Sequence, residues 1–232
     1  MALLYQAELR PSKIEIIEAW APAQPWFEGS RGASLTSVGS FRFDDPDGEV
    51  GIETILVGAG DGRVLQVPRT YRGAPLEAGE AWLIGTTEHS VLGRRWVYDA
   101  TGDPAYLTAV ATAALTGGSQ AEQHIDIDGV RVIREPTAVV VGSGKDDGPD
   151  LSLALSGTVT TRHDRGATVV ETSTLRLVVV RVLTEQDHPS QDSPSQDSSR
   201  SAVLDDHAVT AVLTGTWTKP PSPRTLVQVQ AR

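Results

Sequence analysis

The sequence predicts an α+β protein dominated by antiparallel sheet, and three observations carry that reading. Apolar residues alternate with polar ones along most of the chain, at the period of two expected of half-buried strands. Turn punctuation rich in Gly, Asp and Pro recurs between those runs. Only one segment, Asp103 to Leu115, carries helix start and stop signals in the right order.

In chain order, the first element is ambiguous: KIEIIEA alternates like a strand, and a short helix around Ile17 to Trp20 is the weaker reading. The run FRFDDPDGEVGIETILV, Phe41 to Val57, reads as a hairpin about an Asp-Asp-Pro-Asp-Gly turn. A Gly-rich turn at Gly58 to Gly62 leads into RVLQVPRTY, and AWLIGTT follows the loop Arg72 to Glu80, so the expectation is a meander of four strands. The helix Asp103 to Leu115 has an acid at its start, Pro104 in its first turn and Gly117-Gly118 at its end, with Tyr106, Val110 and Ala114 set to cover one face of the sheet.

The second half reads as nearly all β. HIDIDGVRVIRE is a hairpin with a two-residue Asp128-Gly129 turn, in which Ile127 faces Val130, Asp126 faces Arg131 and Ile125 faces Val132, leaving one face apolar and placing an ion pair on the other. Further strands are expected at TAVVVG, DLSLALSG, ATVVETS, LRLVVVRVL, HAVTAVLTGTW and TLVQVQ. A tandem PSQDS unit, Pro189 to Ser193 and Pro194 to Ser198, lies in the polar segment 185–201, which is too poor in apolar residues to offset its ordering entropy and is expected to be a disordered hairpin loop. The expected division is residues 1–118 and 119–232.

Composition narrows the function classes. The absence of cysteine removes disulfides, thiolate nucleophiles and Cys-based metal sites. A net charge of -10 argues against nucleic acid, whose affinity rests on cationic contacts to phosphate. No apolar run approaches the length of a spanning helix, and the N-terminus lacks the basic and apolar regions of a secretory signal, so a cytoplasmic protein with no membrane role is expected.

Chemical motifs are sparse. VVVGSGKDDG has Gly144-Lys145, but Val139 stands where a phosphate loop needs its first Gly, and Asp146 where it needs Ser or Thr. The trio Gly58, Gly60 and Gly62 precedes a strand rather than a helix. His163-Asp164-Arg165 reads as a turn. His124, Asp126 and Asp128 alternate onto one strand face as a conceivable metal site, yet Asp128 belongs to a turn and Asp126 already faces Arg131. No metal and no cofactor are assigned.

The distinctive stretch is Gln66 to Pro104, which gathers Arg69, Arg72, His89, Arg94, Arg95, Trp96, Tyr98, Asp99 and Asp103 in a chain poor in aromatics. Glu53, Arg72, His89, Arg94, Arg95, Trp96, Asp99 and Asp103 are the candidate ligand- or partner-binding residues. Arg94 and Arg95 are suited to grip a carboxylate or phosphate, and Trp96 and Tyr98 to stack on a sugar or support a partner. Alternatively, the arginines pair with Asp99 and Asp103 to tie the helix start to the sheet, with Trp96 in the core.

Through VGSFRFDDPDGEVGIETILV (Val38 to Val57), QVPRTYRGAPL (Gln66 to Leu76) and EHSVLGRRWVYDATGDP (Glu88 to Pro104) the chain resembles the N-terminal cap of actinobacterial maltokinases. The resemblance implies a curved antiparallel sheet with short helices, and it places the catalytic residues of those enzymes outside the cap. The chain departs from the pattern in having Arg69 after the QVP triplet and a β-rich half where a kinase-linking segment is expected. A non-catalytic cap-like protein is therefore expected, binding a glucan-pathway or sugar-kinase partner, or a small sugar or phosphate, in α-glucan, maltose, trehalose or amino-sugar metabolism. The alternative is an enzyme acting on a sugar or anionic metabolite through an Arg/His/Asp pocket. Kinase activity by this chain is the third reading; the base and metal-binding acid it requires are not evident in the sequence.

Overall fold

The structure is a computed structural model that describes residues 2–4, 8–27, 34–127, 130–145, 159–184, 209–217 and 222–232. The expected strand DLSLALSG, the PSQDS repeats and the Asp128-Gly129 turn lie outside the described residues. In chain order the elements are β1 (Ala2–Leu4), β2 (Leu9–Arg10), α1 (Lys13–Trp20), β3 (Thr36–Phe43), β4 (Gly51–Gly58), β5 (Arg63–Arg72), β6 (Leu83–His89) and β7 (Gly93–Asp99). They continue as α2 (Pro104–Thr116), β8 (Gln123–Ile127), β9 (Val130–Arg134), β10 (Val139–Gly142), β11 (Thr160–Asp164), β12 (Ala167–Glu171), β13 (Leu175–Val180), β14 (Val182–Thr184), β15 (Ala211–Thr216) and β16 (Arg224–Ala231).

The protein is mostly antiparallel β, with two α-helices among the described residues. A first sheet runs β2-β6-β7-β5-β4-β3, with β14 added beside β5, and curls into a half-barrel. A second runs β10-β15-β16-β13-β12-β11, and a small third is β1-β8-β9. None of the described helices is long and apolar enough to cross a membrane.

Local chemistry decides the first helix. Ser12 Oγ accepts from the Glu15 amide at 3.3 Å and the Glu15 carboxylate accepts from the Ser12 amide at 2.7 Å, a reciprocal capping box. Ile17 and Ala21 then fall four apart, both fully buried, against Ile55, Val57, Leu65 and Val67 of β4 and β5. The strand-like alternation of KIEIIEA is thus overridden, and the helix begins four residues earlier than the sequence implied.

The four-strand meander also needs correction. Strands β3, β4 and β5 follow one another, but β7 inserts between β5 and β6. Placing β7 there brings Asp99 opposite Arg69, which matters below. The hairpin of β8 and β9 has the expected register, Ile127 with Val130, Asp126 with Arg131 and Ile125 with Val132. Its apolar residues on β9 remain uncovered, with Val130 62% and Val132 40% exposed.

Helix α2 starts as expected, Asp103 accepting from the Ala105 amide at 3.0 Å, and ends at Gly117 with φ 73. It lies between the sheets: Tyr106, Leu107, Val110 and Ala114 share one core with Phe41, Phe43, Ile52 and Leu56 of the half-barrel and with Val140, Leu177, Leu213 and Leu226 of the second sheet. Its last turn explains the VGSG segment. Gly144 donates to the Ala114 carbonyl at 2.9 Å, one of those a helix end leaves open, and Gly142 to the Gly118 carbonyl just beyond the helix at 2.8 Å. The approach leaves no room for a side chain: a Cβ on Gly142 would lie 1.9 Å from the Ala113 oxygen, and one on Gly144 1.8 Å from that of Leu115.

Gly142→Ala is therefore expected to cost at least about 1–3 kcal/mol, the usual range for overpacking. Gly85→Ala, where a Cβ meets nothing within 4 Å, should change stability by less than about 0.5 kcal/mol. Urea midpoints of the two variants against the parent protein check this.

Candidate functional site

Directly opposed residues of an antiparallel pair share a face, so the registers sort the candidate residues onto two sides of the half-barrel. Arg42 lies opposite Glu53, Glu53 opposite Arg69 and Arg69 opposite Asp99. A row of alternating charge thus crosses four strands on the α1 side. Tyr71, Arg95 and His89 lie on the same face, whereas Arg72, Trp96 and Arg94 lie on the α2 side.

At one end of the row, both oxygens of Glu53 are engaged. Lys13 from the first turn of α1 reaches Oε1 at 2.7 Å and Arg42 Nε lies 3.4 Å from it, while the Tyr71 hydroxyl donates to Oε2 at 3.0 Å and Arg69 Nη2 is 3.5 Å away. Burial alone would raise the Glu53 carboxyl, but Lys13, Arg42 and Arg69 outweigh it and hold the group far below the ordinary carboxylate range. Burial pushes the Tyr71 hydroxyl up. Arg69 is fully buried; it donates through Nη1 to the Lys13 carbonyl at 3.0 Å and stacks over Tyr71 at 5.3 Å.

At the other end, Asp99 turns to a residue that sequence reading did not single out. Arg181, fully buried between β13 and β14, donates through Nη2 to both Asp99 oxygens at 2.7 Å and to the Thr101 hydroxyl at 3.1 Å. Its Nε donates to the Thr168 hydroxyl at 2.8 Å, and its guanidinium lies 5.2 Å from the Trp26 ring. The chain passes from the second sheet to the half-barrel at this residue: β13 pairs with β12 and β16, and β14 pairs with β5. The available signal was a lone charge inside the apolar run LRLVVVRVL.

On the opposite side Asp103 caps α2 and receives the Thr70 hydroxyl at 2.6 Å and both Arg72 Nε at 2.7 Å and Nη2 at 2.6 Å. That hydrogen bonding holds the Arg72 guanidinium above its ordinary value. Arg94 pairs with Glu88 at 2.9 Å on the surface, both side chains about 60% exposed. Arg95 donates to the Leu92 carbonyl at 2.7 Å, and Trp96 is half-buried. His89 accepts from the Val91 and Leu92 amides through Nδ1. Burial, then Arg95, Lys13 and Arg42, hold its imidazole below the usual value. Glu53 and Asp99 thus share a charge row and Arg72 meets Asp103, but Arg94, His89 and Asp99 do not converge on one cleft.

His163 and Asp164 end β11, and the turn is Arg165-Gly166, both with positive φ, joining β11 to β12. His124 is buried 3.5 Å from Glu122. Among the described residues no three His, Asp or Glu side chains gather at metal-binding distance.

The architecture is a curled antiparallel sheet laced by buried ion pairs and flanked by helices. Residues 20–103 match the family model of the maltokinase N-terminal cap domain, and this stretch is a maltokinase N-terminal cap-like domain. A search of curated proteins finds no match to the chain.

Removing one partner of a buried pair leaves the other charge unpaired, at about 3–5 kcal/mol. Arg181→Met and Asp99→Leu are each expected to fall in that range, and the double variant to cost less than their sum, as a double-mutant cycle in urea would read. The Glu53 carboxyl, depressed in the folded state, stabilises the protein fully above its unfolded value near 4.5 and progressively less as pH falls toward the folded value. Acid titration of stability should accordingly be flatter below pH ~4.5 in Glu53→Gln than in the parent protein.

Proposed function

We propose that this protein is a non-catalytic, cap-like accessory of cytoplasmic α-glucan metabolism, covering maltose, trehalose or amino-sugar chemistry, that binds a kinase-type partner or a small sugar or phosphate ligand. The observation that carries this reading is the use to which the most distinctive stretch is put. Asp99 is held by Arg181, and Asp103 by Arg72 and Thr70, so both acids of the DATGD segment are committed to holding the sheet, the helix and the second half together. A general acid or base needs a lone pair or proton within reach of a substrate, and a carboxylate bound on both oxygens inside the core offers neither. The match to a cap domain supports the same direction, since it attaches the chain to maltokinase-associated architecture.

A scaffold of this kind acts by presenting a rigid surface, and the half-barrel supplies one. Its helices and ion pairs fix the sheet, leaving exposed edges and loops to engage a partner. An actinobacterial setting is part of the proposal and rests on the family resemblance alone.

Mixing the full chain with a maltokinase-type enzyme should yield a complex in sedimentation or titration calorimetry, or a changed kcat or KM of that enzyme. Absence of association at roughly tens of micromolar, a range typical of weak transient contacts, with every α-glucan enzyme tried would refute the partner arm of the proposal.

A further inference from the structure

The Glu53 cluster carries more positive charge than its fold requires. Lys13, Arg42 and Arg69 supply three cations, and among the described residues Glu53 is the one carboxylate they contact, which leaves an excess of two there. Asp99, next in the row, is already neutralised by Arg181, and Glu15 is occupied in capping Ser12. In a chain of net charge -10, such an excess stands against the overall balance.

The arrangement is graded from inside to outside. Glu53 is 6% and Arg69 0% exposed at the side chain, whereas Arg42 is 17% and Lys13 31% exposed. Both Glu53 oxygens are taken by the contacts described above. Lys13 makes one hydrogen bond with its three donors, and the terminal Nη atoms of Arg42 make none among the described residues. Arg69 adds a buried Nε and Nη2 without a hydrogen-bond partner behind them, and buried donors of that kind call for an explanation. Burial and then the charges of Arg95, Lys13 and Arg42 hold the nearby His89 imidazole down.

We propose that Lys13 and Arg42, backed by Arg69, form a binding site for a phosphate monoester or inorganic phosphate on the α1 face of the half-barrel. A dianion matches the excess of two charges. The Arg42 fork and the Lys13 ammonium supply charge-assisted donors from two elements, β3 and α1, held at fixed spacing by Glu53. The site deepens the ligand arm of the proposed function and is independent of its partner arm. Phosphate binding can fail while a kinase partner still associates, and the reverse.

The test titrates inorganic phosphate into the full-length protein by calorimetry at low ionic strength. Saturable binding at one site is expected, weakening as chloride screens it. Lys13→Gln and Arg42→Gln keep a donor toward Glu53 while removing charge, and each should weaken binding at least about tenfold, the loss of one charge-assisted hydrogen bond. Glu53→Gln removes the competing anion and should tighten it. Arg162→Gln, exposed on the second sheet, should leave it unchanged. Competition by glucose 1-phosphate tighter than phosphate itself assigns the site to sugar phosphates, and equal affinity assigns it to free phosphate. No saturable binding, salt-independent binding, equal binding of uncharged glucose, or unchanged affinity in folded Lys13→Gln and Arg42→Gln would each overturn the site. Should those variants fail to fold, the wild-type salt dependence and the Glu53→Gln effect still decide.

Discussion

The contact between Arg181 and Asp99 holds this molecule in its observed arrangement. A guanidinium and a carboxylate, both withdrawn from water, are costly unless their geometry compensates. Here one nitrogen reaches both carboxylate oxygens at 2.7 Å, while Thr101 and Thr168 take further hydrogen bonds. The pair joins the end of β7 to the bend between β13 and β14, positions 82 residues apart in sequence. Because the bend is where one strand leaves the second sheet and its continuation joins the half-barrel, the pairing fixes how the two sheets meet. Apolar burial supplies most of the driving force, but it is non-directional, and the ion pair supplies direction.

Around this anchor the backbone is shaped to allow close approach. The sequence Ala-Thr-Gly following Asp99 lets Trp82 lie against Gly102, where a Cβ would sit 2.0 Å from the indole. Gly142 and Gly144 let their loop hydrogen-bond to the last turn of α2, and Gln66 on β5 donates to the Val180 carbonyl at 2.7 Å and the Leu226 carbonyl at 3.0 Å. The Gly142, Gly144 and Gln66 contacts each span from the first half of the chain to the second. Together they make α2 a filler between two sheets, and they explain why its Tyr106, Leu107, Val110 and Ala114 are all buried.

The elements were legible where local chemistry and periodicity agreed. The α2 caps, the hairpin of β3 and β4 and the register of β8 with β9 follow from Pro, Gly and Asp placement, which acts within a few residues. What was not legible was non-local. In the sequence Arg94, Arg95 and Trp96 obscure the alternation of strand β7 and make it resemble a binding motif, and its place between β5 and β6 is set by tertiary pairing. KIEIIEA carried both periods, and only the Ser12–Glu15 box resolves it. In the candidate site, Glu53 and Asp99 stand out in the sequence as candidate binding residues, but their partners Lys13, Arg42, Arg69, Tyr71 and Arg181 come from three other elements and one bend. Arg181 was hidden because a single charge in an apolar strand is easily taken for an edge position.

If the Arg181–Asp99 pair joins the sheets into one cooperative structure, local openings of β5 and of β13 or β16 should share one free energy. Native-state hydrogen exchange followed by mass spectrometry across a denaturant series measures this directly. The account predicts that protected amides of the half-barrel and of the second sheet converge on a single opening, with a common denaturant dependence. Two separate openings, one sheet exchanging while the other stays protected, would contradict it.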